Sequence, residues 1–399
     1  MASIPGSQFV ATAPGQTVNV IETSDGSVPP PIAGQFNLEV WTGAGSPPGL
    51  APGYQGLAIL SAGGQQIELV TGVFAVQDVG SGNDTLIASG DNETIIGGSG
   101  NETMIANGAF DVIVGGGQDT INVYGHDDTV NAVGNDSISV IGDNNTVNAG
   151  SGNDTINILG DNDIVHAQSG NDTINLYGDN DFIDLGTGLN QLNILTTGPY
   201  AFSDSSNDTI NVIASTDLFL KDAGSNNTVN FLPSSHTLNA GGSTGSNTFN
   251  IYGTNDTVTA GSCQDTVNTF AANDDVIATS GNSLVNVYGL NNTVHGGTGN
   301  DTVNLFSYGD TVGSSAGSDL IHMIGGGATF EAGHNGYADT VVGFLEGSDT
   351  IALTGGDNAG DLVATQQQQN GGQDTLITLS DGSTILLKGI AHVDQGFFS

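Results

Sequence analysis

Apolar residues in this chain come in short alternating bursts, and the bursts return every nine residues. The stretch 149–188 shows the rule: AGSGNDTIN-ILGDNDIVH-AQSGNDTIN-LYGDNDFID-LGTG. In TINIL, Ile156 and Ile158 point to one side while Thr155 and Asn157 point to the other. In the next burst Val165 and Ala167 take the inward places. A period of two over four or five residues predicts a β-strand with one buried face. Nine residues leave room for one such strand and one tight turn. Two flavours of turn alternate, G-S-G-N-D and G-D-N-D, so the full repeat is eighteen residues.

The polar residue two places before the first inward aliphatic marks each turn. One row of markers runs Asp84, Glu102, Asp119, Asp136, Asp154, Asp172, Asn190, Asp208, Asn227, Asn247, Asp265, Ser283, Asp301 and Asp319. A second row falls between them at Glu93, Asp111, Asp128, Asn145, Asp163, Asp181, Asp217, Asp256, Asp274, Asn292 and Asp310. A repeat of this length cannot close its own core, so successive copies must stack. The expected fold is all-β: a right-handed parallel β-roll or β-solenoid of about fourteen 18-residue coils, with two sheets and two rows of turns.

Three regions are expected. Residues 1–77 lack the nine-residue period and read as an N-terminal β cap, with candidate strands at 18–22, 36–41, 57–60 and 66–70 and Trp41 packed inside. A separate binding role for this region is the alternative. Residues 78–328 form the solenoid, with bulged coils or a kink over 196–236, where Pro199, Tyr200, Phe202 and Lys221 interrupt the pattern. Residues 329–399 form a C-terminal β cap with a QQQQNGG loop at 366–372 and a hairpin in DTLITLSDGSTILLKG.

Charge narrows the function. Of 399 residues, 42 are Asp or Glu and only two are basic, Lys221 and Lys388, for a net charge of −40. Such a chain repels nucleic-acid phosphates and anionic lipid. Its natural partners are cations. One cysteine, Cys263, rules out an internal disulfide; it reads as a replacement for a polar turn residue, with intermolecular pairing as the alternative. No apolar run is long enough for a transmembrane helix. The N-terminus lacks the basic and apolar regions of a cleaved export signal.

The apolar filling of each coil is thin, and stacked carboxylates about 4.8 Å apart repel one another. Cations between the layers relieve that repulsion. Carboxylate, amide and main-chain carbonyl oxygens suit Ca²⁺, whereas few His and one Cys speak against zinc or copper. Glycine lets the turn tighten and aim carbonyls at an ion.

The turns resemble the RTX family, whose nonapeptide is G-G-x-G-x-D-x-U-x. Residues 296–304, GGTGNDTVN, match it throughout; 97–104 match with Glu102 in place of aspartate, and 80–86, 115–121, 150–156 and 170–174 match most of it. The resemblance covers about residues 78–330. It implies Ca²⁺ bound between successive turns, at Asp84, Asp119, Asp154, Asp172 and Asp301 above all. The full candidate metal set is Gly80, Gly82, Asp84, Gly98, Gly100, Glu102, Gly117, Asp119, Asp136, Gly150, Gly152, Asp154, Gly170, Asp172, Asp265, Gly297, Gly299 and Asp301. The G-D-N-D row lacks the second motif glycine, so its ion binding is left open. Asn190, Asn227, Asn247 and Ser283 suggest a metal-poor middle held by asparagine ladders. The C-terminal region also resembles the uncleaved type I secretion signal of RTX proteins, which implies an extracellular or cell-surface protein of a bacterium.

Catalysis finds little support, because the seven histidines are scattered and no separate catalytic domain remains. The outward Thr-x-Asn pattern, as at Thr155/Asn157 and Thr302/Asn304, has two readings: strand propensity with asparagine stacking, or an ice-binding array. The expected function is a secreted calcium-binding structural or adhesive protein of a matrix, surface layer or filament, self-associating or bound to an extracellular polymer. An ice-binding protein and a polysaccharide-binding or polysaccharide-modifying protein are the alternatives.

Overall fold

The structure, a computed structural model, describes residues 18–42, 51–59, 66–69, 75–78, 80–198, 200–203, 206–220, 224–243, 245–313 and 315–399. Apart from one seven-residue α-helix and two short 3₁₀ turns, the described elements are β-strands. The chain forms two compact units. The first comprises Met1–Leu192 with Gly198–Phe202, and the second Asn193–Thr197 with Ser203–Ser399.

Each unit is a parallel β-solenoid with two sheets. In the first, Thr155–Ile158 lies between Ser137–Val140 and Thr173–Leu176, with Ile156 opposite Ile138 and Ile174. On the other side Ile164–His166 lies between Thr146–Asn148 and Asp181–Asp184. Identical residue types stack because the offset between paired strands equals the sequence repeat. Ile156, Ile158, Val165 and Ala167 are buried, as their alternation requires.

Parallel stacking begins well before the nonapeptide motif. Val18–Thr23 pairs with Phe36–Trp41, which pairs with Gly56–Ile59 and then Ala75–Asp78. The spacing is 18 or 19 residues, the same as in the repeats. The period is hidden from sequence because these turns carry Pro, Ser and Gln in place of the Gly-Asn-Asp signature. Trp41 is buried.

In the second unit the coils over 209–251 lengthen to 19 and 20 residues, yet the strands stay in register: Ile210 faces Val229, and Val229 faces Phe249. The extra residues enter the turns, and the wider coils enclose Phe231 and Phe249. The expectations for Pro199 and Lys221 lie outside the described residues; Tyr200–Ser203 is a strand.

The expected C-terminal hairpin pairs Asp374–Thr378 with Thr384–Lys388. Thr384–Lys388 also runs parallel to Ala338–Val342 and covers the edge of the last coil. The QQQQNGG segment is not a plain loop. Gln367–Gln369 adds a third antiparallel strand, and Asn370–Gly372 forms a 3₁₀ turn. Ala359–Thr365 is a helix within the expected β cap; the Asn358 side chain caps it and Leu362 is buried. Phe344 and Phe397 stack at 5.3 Å, and Ser399 N–H donates to the Ile351 carbonyl, so the last residues are packed on the unit.

Candidate metal centre

The two turn flavours solve one backbone problem with different residues. In G-S-G-N-D the glycine before Asn takes positive φ: 140° at Gly152 and 150° at Gly170. A Cβ on Gly152 would overlap the Gly134 carbonyl oxygen of the preceding coil, so the position admits only glycine. In G-D-N-D the left-handed residue is asparagine, with φ near 60° at Asn92, Asn144, Asn162 and Asn180. Asparagine tolerates that region better than most side chains. The missing second glycine of the second row is therefore replaced in function, and both rows close tightly.

Asp217 departs from its expected marker role: it is exposed, near His236, and accepts from the Thr237 N–H of the following coil. The other marker acids of both rows are buried and face inward at the turn. Each uses one oxygen to bind the backbone of the coil before it. In the first row the N–H groups of Glu102, Asp119, Asp136 and Asp154 donate to the Oδ1 atoms of Asp119, Asp136, Asp154 and Asp172 at 2.6–2.8 Å. In the second row Asp111 N–H donates to Asp128 and Asp163 N–H to Asp181, at 2.7 and 2.8 Å. The outer turn residues stitch the other way: Asn153 Oδ1 accepts from Asn171 N–H and Asp161 Oδ1 from Asp179 N–H.

The second oxygen sets the chemistry. Buried Oδ2 atoms of Asp111, Asp128, Asp136, Asp154, Asp163, Asp181, Asp256, Asp274 and Asp301 have no hydrogen-bond partner, nor do both carboxyl oxygens of Glu102. Burial pushes these acids up, to about 8 at Glu102, about 7 at Asp154, Asp163, Asp274 and Asp301, and about 6 at Asp128, Asp136, Asp181 and Asp256. At Glu102 the neighbouring Asp119, Asp78 and Asp84 add to the burial effect. Unpaired buried carboxylate is costly, and with two basic residues in the chain the compensating charge must come from outside.

Asparagine at a marker position shows what the open oxygen lacks. Asn145 Oδ1 accepts from Asp128 N–H as an aspartate would, while its Nδ2 donates to the Gly142 carbonyl at 3.0 Å and the Gly125 carbonyl at 3.4 Å. Asn292 does the same with Gly289 and Ala271, and Asn247 with Gly245 and Gly224. Where aspartate replaces asparagine, an acceptor takes the place of that donor and meets the same kind of carbonyl. Asp163 Oδ2 and the Gly142 carbonyl border the same space beside Gly160, and Asp181 Oδ2 and the Gly160 carbonyl the space beside Gly178. A bare oxygen facing carbonyl oxygens fits a hard cation. Among the described residues no three His, Cys, Asp or Glu side chains converge on one ion. The donors that border these spaces are a carboxylate oxygen and main-chain carbonyls, hard oxygens that suit Ca²⁺.

The eight candidate acids, Asp84, Glu102, Asp119, Asp136, Asp154, Asp172, Asp265 and Asp301, are all buried at turns. Six of them fall in two sets. Glu102, Asp136, Asp154 and Asp301 keep an open oxygen. The second oxygens of Asp119 and Asp265 are taken by the N–H groups of Gly116 and Gly261, at 3.0 and 2.8 Å. The glycines stand in carbonyl columns: a Cβ on Gly98, Gly100, Gly117, Gly150, Gly152, Gly170, Gly297 or Gly299 would overlap a carbonyl oxygen of the preceding coil. Gly80 and Gly82 supply the carbonyls beneath Gly98 and Gly100. The second-row acids Asp111, Asp128, Asp163, Asp181, Asp256 and Asp274 lie outside the candidate set, yet they present the same open oxygen. Their marker position is visible in the sequence, but the left-handed asparagine that replaces the second glycine hides their equivalence to the first row.

Fold and site together define a calcium-binding parallel β-roll. A family model described as RTX calcium-binding nonapeptide repeat (4 copies) matches residues 78–113, 133–156, 159–192, 251–285 and 288–321. The chain carries this repeat, whose cofactor is Ca²⁺. Among solved structures, extracellular lipase LipA from Serratia marcescens matches at 17% identity and a TM-score of 0.25, over 66% of this chain and 39% of the lipase. The chain thus spans well under half of that lipase's length. No curated protein sequence matches it.

Proposed function

We propose that this protein is an extracellular scaffold whose coils are locked by Ca²⁺, with structural or adhesive work and no catalytic step. The observation that supports this most is the set of buried, unpartnered carboxyl oxygens at the turns of a chain with almost no positive charge. In this reading the acids of both rows hold ions through Oδ2 and the turn carbonyls, from Asp128 and Asp136 to Asp274 and Asp301. Extracellular calcium modules work at roughly 10⁻⁴–10⁻³ M, a range that leaves such a chain unlocked inside a cell and locked outside. Export through a C-terminal signal accords with that switch. The outward asparagines favour the structural reading of the Thr-x-Asn face over an ice-binding one. Asn175 donates to Asn157 and Asn304 to Asn286, both at 2.8 Å, so the amides are engaged with each other.

Calcium titration of the chelated protein, followed by circular dichroism and calorimetry, tests this. The expected result is a cooperative gain of β-structure with several ions taken up per chain. A spectrum and a heat signal that do not respond to Ca²⁺ would overturn it.

A further inference from the structure

One sheet face of the second unit presents no acid and no lysine over seven consecutive strands. Its strands are Thr209–Val212, Thr228–Phe231, Thr248–Ile251, Thr266–Thr269, Leu284–Val287, Thr302–Leu305 and Leu320–Met323, paired in parallel and in register. Strand alternation puts three columns of side chains on the outside. The middle one is an unbroken amide ladder: Asn211, Asn230, Asn250, Asn268, Asn286 and Asn304 link at 2.8–3.0 Å, and His322 Nδ1 ends the series at 2.6 Å from Asn304 Oδ1. Beside it stand Thr209, Thr228, Thr248, Thr266, Leu284, Thr302 and Leu320.

The third column follows each strand: Ile213, Leu232, Tyr252, Phe270, Tyr288, Phe306 and Ile324, between 41 and 55% exposed. Its four rings are stacked nearly parallel, with centroids 5.0, 5.2 and 4.9 Å apart. None of these outward residues is an acid or a lysine, although the chain has 42 acids. A neutral, ribbed, half-apolar strip on a protein of net charge −40 is a surface through which a partner approaches without meeting carboxylates.

We propose that this face is a self-association surface on which a second copy of the same chain docks face to face. The proposal rests on the scaffold reading above and names its contact. Ring faces in the stack are covered by their neighbours, so the rings present edges, which removes the face-stacking by which aromatics hold sugars. A rib spacing near 5 Å is matched by a partner with the same coil rise, and a second copy has it by construction. Asparagine ladders and stacked aromatics are the ingredients of dry sheet-to-sheet interfaces. Seven strands about 4.8 Å apart, each with three outward residues, cover an interface on the order of 1,000 Å² in total, near the lower bound for specific association. Repulsion between copies falls when the turn acids hold Ca²⁺, and screening over about 8 Å at physiological salt reduces it further.

The test is sedimentation of the full chain in Ca²⁺ up to about 100 µM, for the native protein, for Phe270→Ser with Tyr288→Ser, and for Thr266→Asp with Thr302→Asp. Phe270 and Tyr288 are exposed and Thr266 and Thr302 are half-buried on the outward face, and circular dichroism in Ca²⁺ checks that each double variant keeps its β-structure. The expected result is reversible association of the native chain, weakened about tenfold or more in each variant. A native chain that folds with Ca²⁺ yet stays monomeric would overturn this surface and leave the scaffold reading standing. Association untouched by both pairs would also overturn it. So would retention of the native chain, lost in the variants, by a neutral insoluble glucan, which names a different occupant. Failure of the calcium response in circular dichroism is the separate failure of the scaffold reading.

Discussion

The two units share a fold and differ in how they settle the charge at their turns. In the first, open buried oxygens occur at Glu102, Asp111, Asp128, Asp136, Asp154, Asp163 and Asp181, and asparagine takes the marker place at Asn145 and Asn190. In the second, Asn227, Asn247, Ser283 and Asn292 hold marker positions, and protein donors complete several acids. Ser307 Oγ reaches Asp310 at 2.6 Å, Ser315 Oγ reaches Asp319 at 3.2 Å, and Leu345 N–H reaches Asp349 at 2.7 Å. Open oxygens there are Asp256, Asp274 and Asp301. One backbone thus tolerates two turn chemistries: an acid that needs a cation, or a donor built into the chain. The first unit is expected to depend on calcium far more than the second.

Chelation should break this comparison open most widely. In EGTA, amide hydrogen exchange over 84–190 is expected to speed up by about 100-fold or more, and over 248–324 by much less, since ligand release removes stability only where the ligand bound. Equal loss in both units would refute the division.

Acidity should have the next largest effect, and its sign is fixed by the raised acids. Their unfolded values lie near 4, while the folded values lie at about 6 to 8. The calcium-free fold binds these protons more tightly than the unfolded chain. That contribution is full below about pH 4 and is lost as pH rises through about 7. In EGTA the melting temperature should therefore fall between pH 5 and pH 8, chiefly for the first unit, and saturating Ca²⁺ should flatten the profile. A calcium-free melting temperature that rises over this range would contradict the geometry.

Exchange of a single marker residue sharpens the point. Asp163→Asn should give the first unit the donor that Asn145 already has, raising calcium-free stability by about 1–3 kcal/mol while lowering the number of ions bound. Asn145→Asp should do the reverse. Melting in EGTA and calorimetric stoichiometry in Ca²⁺ measure both. Loss of a ring from the outward stack, as in Phe270→Ser, should cost only about 1 kcal/mol in melting experiments on the calcium-loaded chain.

The sequence alone determined the coil length, the inward set Ile156, Ile158, Val165 and Ala167, the two turn rows and the preference for calcium. These follow from periodicity and composition, which local residue order carries directly. It also marked four N-terminal strands near their places, though not their 18-residue stacking, because those turns carry no repeated signature. Tertiary structure decided which carboxyl oxygens stay open. Asp136 and Asp265 have the same position in the repeat, yet the Gly261 N–H completes only Asp265. It also showed that Asn162 does the work of a glycine, and it aligned Tyr252, Phe270, Tyr288 and Phe306 into one ridge. These features depend on which atoms of one coil face those of the next. That distance is about 5 Å in space and 18 residues along the chain, so only the stacked fold brings the partners together.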